Sequence, residues 1–194
     1  MQKNIMYFEL TAFYKRDVYF VYDEEQNELS NKIFNQGEEI SVSKPLLFSV
    51  DKIDSYINNY DILPTYNAPL VSKRLKNNFE DLENDKQIQF INVTISDQKG
   101  NINNDYYLLN VLKVVPCMDM EKSIYDIKTY GKTAVIQIKK LYIISNGLKN
   151  YDIIRMKEKK AYIIVTKEFT KRCEVAKLKG LDFVPEGYSI YTDI

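Results

Sequence analysis

LVSKRLKNNFEDLENDKQIQFI, residues 70–91, is the stretch on which the fold class turns. It opens on the apolar pair Leu70-Val71, followed by a hydroxyl and a lysine, Ser72-Lys73. Leu75, Phe79 and Leu82 then fall at i, i+4 and i+7, one face of a helix. Asn84-Asp85 breaks that period, and Ile88-Gln89-Phe90 alternates as a strand does. The stretch reads as strand, helix, strand. Residues 164–184, IVTKEFTKRCEVAKLKGLDFV, repeat the order. Ile164-Val165 leads to Thr166-Lys167, and Phe169, Cys173 and Ala176 share a helical face. Gly180 interrupts, and Leu181-Asp182-Phe183 alternates. Ser72 and Thr166 are placed to cap, since an Ncap hydroxyl accepts a free N–H of the first turn. Gly180 suits the C′ position. Two similar strand–helix–strand units predict an α+β fold with a mixed or antiparallel sheet, as a single domain over residues 1–194.

Working outward, YYLLNVLKVVPCMDMEKSIYDI (106–127) begins with an apolar run to Val115, broken by Asn110 and Lys113. Pro116 stops it, having no N–H and a fixed φ. A polar loop follows with Asp119, Glu121, Ser123 and Asp126. Asp119 and Ser123 are expected to hold the turn through side chain-to-backbone bonds. Further strands are read at 88–96 and 133–144, and a hairpin at DIIRM (152–156) and AYIIV (161–165). FELTAFY and DVYFVYD near the N-terminus read as two more. Residues 23–31 read as a polar connection or short helix.

Composition removes several function classes. The 194 residues carry 27 basic and 27 acidic side chains, so the chain lacks the basic excess of a nucleic-acid binder. No apolar run is long enough to span a membrane. The N-terminal stretch has no secretion-type apolar core, which points to the cytoplasm. Histidine is absent, which excludes Ser–His–Asp and Cys–His sites and histidine zinc sites together. Cys117 and Cys173 are too few and too far apart for a metal knuckle, and read as buried hydrophobes. No cofactor or metal is expected.

Two motifs invite chemistry. Gly131-Lys132-Thr133 resembles the end of a phosphate-binding loop, but Asp126 stands where the earlier glycine belongs and a strand follows, not a helix. Asp119, Glu121 and Asp126 could supply a carboxylate pair. Carboxylates near strand ends are more often loop hydrogen-bonders and solvated charges, and that is the preferred account of them.

An ordered set of short pieces resembles a known family. LVSKRL (70–75), Leu109-Asn110-Val111 with Asp119 and Ser123, IIRM (153–156), IIVTKEF (163–169) and GLDF (180–183) are similar to the pattern of the DUF1629, or Imm11, immunity proteins. The family often has Phe-Arg where this chain has Ile154-Arg155, and Ser where it has Thr166. The resemblance covers residues 45–190 and marks Ser72, Asn110, Asp119, Ser123, Arg155, Thr166, Gly180 and Phe183 as signature positions. It implies a non-enzymatic cytoplasmic protein that binds a cognate protein toxin and leaves the oligomeric state open. The alternative is a carboxylate-based enzyme or small-ligand binder, which needs a deep pocket gathering Asp119, Glu121 or Asp126.

Residues 1–44 resemble the family least and hold the densest aromatic stretch, Tyr7 to Tyr22, followed by Asp23-Glu24-Glu25. Aromatic anchors beside a charged rim suit a protein interface. Tyr19, Tyr22, Asp23, Glu24 and Glu25 are therefore the partner-binding candidates, with Glu80-Asp81 and Glu83 as a second acidic face.

Overall fold

The computed structural model of the chain describes residues 7–131 and 133–188, with Tyr130 by its backbone alone. The first half carries strands β1 (Tyr7–Ala12), β2 (Val21–Tyr22), β3 (Leu46–Val50), β4 (Ile62–Leu63) and β5 (Leu70–Ser72), then helices α1 (Lys73–Asn78) and α2 (Glu80–Asn84). Strands β6 (Ile88–Asp97), β7 (Ile102–Asn103), β8 (Tyr106–Val111) and β9 (Val114–Val115) follow. The rest is β10 (Ile124–Tyr130), β11 (Thr133–Lys140), β12 (Ile153–Met156), β13 (Ile163–Thr166), helix α3 (Lys167–Val175) and β14 (Leu181–Pro185). The architecture is α+β, with sheets predominating over a few short helices.

Two mixed sheets form the frame. One runs β14-β1-β13-β12-β9 and is antiparallel except where β12 and β9 run parallel. The other runs β2-β3-β6-β8-β5-β4, with β3 and β6 parallel and β7 added to β6. Strands β5 and β6 flank the antiparallel β8, and β13 and β14 flank the antiparallel β1. Each helical segment thus crosses over one strand of its sheet.

The helix starts are chemical. Ser72 Oγ accepts from Leu75 N at 3.2 Å, and Thr166 Oγ1 accepts from Phe169 N at 3.3 Å. Each hydroxyl also donates to a carboxylate, Ser72 to Asp61 Oδ1 at 2.6 Å and Thr166 to Asp152 Oδ1 at 2.9 Å. The same aspartates accept the backbone N–H of Ser72 and of Thr166 on their carbonyls, both at 3.0 Å. They also reach across the frame. Asp61 N donates to Lys179 O at 2.7 Å, before β14, and Asp152 N donates to Gln87 Oε1 at 2.8 Å, before β6.

Several expectations need correction. The first helix is broken at Phe79, whose φ of −126° and ψ of 23° end α1, so the Leu75–Phe79–Leu82 face is shared by two short helices. Gly180 is not a helix C′ residue. That role falls to Lys177, at φ +51°, with Lys177 N on Glu174 O and Leu178 N on Cys173 O, both 3.0 Å. Lys86, at φ +57°, ends α2 likewise. The two backbone bonds offset the cost of a left-handed non-glycine residue. Gly180 instead permits a close crossing: at φ +87°, an added Cβ would lie 2.7 Å from Tyr60 Cδ1 and 3.1 Å from Phe13 O.

The run from Tyr106 to Val115 is not one strand. Leu112 N turns to Gln87 O at 2.9 Å, and β9 leaves to join the other sheet. Of DVYFVYD only Val21–Tyr22 is strand, because Asp17 at φ +44° breaks the ladder upstream. Residues 124–127, expected within the carboxylate loop, open a strand, Ile124–Tyr130, that pairs with β11 around a turn at Gly131, φ +60°. Lys132 of the phosphate-loop resemblance lies outside the described residues.

Alternation divides the core. Ile163 and Val165 face one cluster with Leu75, Phe79, Phe169 and Ile153, whereas Ile164 and Ile154 face another with Tyr7, Cys117 and Ile138. A third cluster holds Phe20, Tyr22, Phe34, Phe48 and Ile95. Among the described residues, no helix is long and apolar enough to cross a membrane.

Candidate partner-binding surface

The N-terminal aromatics sort by parity. Phe20 and Tyr22 point inward, and Tyr22 packs edge-on against Phe34 and Phe48 while its hydroxyl donates to Leu29 O at 2.7 Å. Tyr22 offers no ring to a partner, which corrects its place among the surface anchors. Tyr19 and Val21 point outward, 47% and 43% exposed. Tyr19 stacks on Tyr66, ring centroids 4.8 Å apart and planes 7° from parallel, and Tyr66 is itself 69% exposed. The pair borders an open groove of about 570 Å³ that also involves Asp17, Ser49, Asp51 and Gln98.

The acidic turn that follows β2 is partly tied down. Asp23 Oδ1 accepts from Gln26 N at 2.9 Å and Glu25 N at 3.1 Å, and Oδ2 accepts from Gln26 Nε2 at 2.6 Å. The Gln26 backbone N–H, above all, holds this carboxyl below its ordinary range. Glu24 accepts from Asn31 N at 3.2 Å. Glu24 and Glu25 are exposed, so their charge faces solvent.

The signature positions lie in the frame. Asn110 is fully buried, and its Nδ2 donates to Glu38 O at 2.8 Å and to Gln89 Oε1 at 3.1 Å. Gln89 in turn bonds both backbone groups of Ile40, so the two amides hold residues 38–40 against β6 and β8. Asp119 Oδ1 accepts from Glu121 N and Lys122 N, and Ser123 Oγ bonds both backbone groups of Tyr142. Arg155 is buried, with Nη1 donating to Lys160 O at 2.5 Å. Phe183 meets Phe8 and Phe169 edge-on, each at 6.5 Å.

The carboxylates of the central loop do not converge. Asp119 bridges Lys122 at 3.0 Å, and Asp126 bridges Lys139 at 3.0 Å on the hairpin. The groove beside Tyr19 and those along residues 26–47 and 40–45 are lined by none of Asp119, Glu121 and Asp126. Among the described residues, no three His, Cys, Asp or Glu side chains are grouped to hold a metal. Burial pushes the Cys117 and Cys173 thiols up to about 12, which keeps them from acting as thiolates near neutrality.

These features define an α+β protein with exposed aromatic and charged side chains on a two-sheet frame. The chain belongs to the Imm11 immunity protein family, whose model matches residues 16–187. That match takes in much of the N-terminal segment that the resemblance had left outside the family pattern. Family membership implies a toxin of some kind as the partner. No curated protein matches the chain.

Proposed function

We propose that this protein neutralises a cognate toxin of a bacterial polymorphic or contact-delivered system. It binds the toxin in the cytoplasm and occludes its active site without turnover. The observation that carries this reading is the family match over residues 16–187. The exposed Tyr19–Tyr66 stack, and the acidic Asp23-Glu24-Glu25 turn that follows Tyr19 closely in the chain, supply two kinds of contact group, rigid aromatic area and charge. A toxin domain expressed with this protein should leave cells growing, and the same toxin alone should kill them. Tyr19→Ala with Glu24→Lys and Glu25→Lys should weaken protection while the purified variant keeps its melting temperature.

We also infer that the frame is two copies of one motif. The parallel roles of Ser72 and Thr166, Asp61 and Asp152, and Lys86 and Lys177 support this. So does a shared sequence, Asn59-Tyr60-Asp61-Ile62-Leu63 and Asn150-Tyr151-Asp152-Ile153-Ile154.

A further inference from the structure

Among the described residues, strands β10 and β11 pair only with each other and belong to neither sheet of the frame. Their register sets Tyr125 opposite Ile138 and Ile127 opposite Ile136, so these four share one face of the ribbon. Ile138 is buried in the Tyr7–Cys117–Ile154 cluster, and Tyr125 and Ile136 pack against that cluster. Ile127, one step further out, is 63% exposed. The apolar row therefore starts in the core and runs beyond it. Asp126, Lys128, Val135 and Lys139 occupy the other face.

Charge separates this ribbon from the rest. Residues 124–140 hold four lysines and one aspartate, while the whole chain is formally neutral. A lone two-stranded hairpin is marginal in water, and its outer edges expose unpaired N–H and C=O groups that template a further contact.

We propose that the hairpin is a docking arm that inserts into a concave, carboxylate-lined cleft of the toxin. The inference rests on the toxin-binding reading above. A projecting ribbon is convex and demands a concave occupant. Asp126 already pairs with Lys139, but the exposed Lys128 and Lys140 call for an acidic occupant, and the exposed Ile127 for an apolar wall. Two copies meeting arm to arm would repel through like charge. The arm supplies a contact region opposite in sign to the Asp23–Glu25 turn.

The test uses the full-length protein and the active domain of its cognate toxin. Binding kinetics are measured at two salt concentrations. Lys128→Glu with Lys140→Glu should slow association at least tenfold and flatten its salt dependence. Ile127→Ser should speed dissociation severalfold. Lys167→Glu with Lys171→Glu, both exposed on α3, serves as a matched double charge reversal and should bind as the parent does. If the parent binds and the arm variants bind equally well, the arm is not the contact and the inference falls alone. If the parent neither binds nor protects, the immunity reading falls and takes the inference with it.

Discussion

Phe79 and Phe169 stack with ring centroids 4.2 Å apart and planes 12° from parallel, joining the helical segments that cross over the two sheets. Arg172 covers the Phe79 ring at 4.4 Å and grips Asp81 with both terminal guanidinium nitrogens, Nη1 at 2.8 Å and Nη2 at 2.6 Å. Phe79 ends α1, so the bend in the first helix delivers its ring to the second. Phe79→Ala and Phe169→Ala should each cost about 3–5 kcal/mol, measured by urea unfolding. The double variant should cost less than the sum, by about 1 kcal/mol, since the rings share one contact. Full additivity would mean that the stack does not couple the helices.

Ser72→Ala and Thr166→Ala should each lose about 1 kcal/mol as helix caps. Ser72→Ala should cost more, because Asp61 is more deeply buried and its carboxylate also receives Lys179 N at 2.8 Å and Arg74 Nη1 at 3.3 Å. Denaturation midpoints at constant slope report this directly. A loss near zero at either site would show that the hydroxyl does not cap in solution.

The caps were legible because they are local: a hydroxyl three residues ahead of the N–H it receives. The carboxylates that orient those hydroxyls lie 11 and 14 residues upstream, and only the paired Asn-Tyr-Asp-Ile stretches announce them. The break at Phe79 has no glycine or proline to signal it; contact with Phe169 accompanies it. At the candidate site, the parity that buries Phe20 also buries Tyr22, and the apolar neighbours read as a block concealed this. Tyr66 stands far from Tyr19 in sequence, so their stack exists only in the folded chain. The arm went unread because Asp126 and Lys128 look like loop residues until β11 pairs with them.

Arg155 is fully buried, and among the described residues its Nε and Nη2 meet no partner. Burial draws its pKa down to about 10. The charge costs more desolvation than one hydrogen bond to Lys160 O returns. Arg155→Met, apolar and flexible enough to fill the space, should be at least as stable in urea. A loss above about 2 kcal/mol would instead assign the guanidinium a strong stabilising contact.

Glu9 titrates in a pH range that can be followed. Burial raises its carboxyl from an ordinary 4.5 to about 7, against the opposing pull of Lys159. The folded protein therefore holds a proton that the unfolded chain has released, and stability attributable to Glu9 falls as pH rises from about 4.5 to about 7. Glu9→Gln should remove that fall from the pH profile of the melting temperature. An unchanged profile would place the Glu9 pKa at its ordinary value.

Stoichiometric occlusion is tested most directly by titrating the purified protein into a fixed amount of the active toxin domain and following toxin turnover. The account predicts a linear loss of activity that ends at a fixed small ratio of protein to toxin, with both chains recovered unmodified as one complex. Inactivation by a small fraction of an equivalent, or full toxin activity in excess protein, would contradict it.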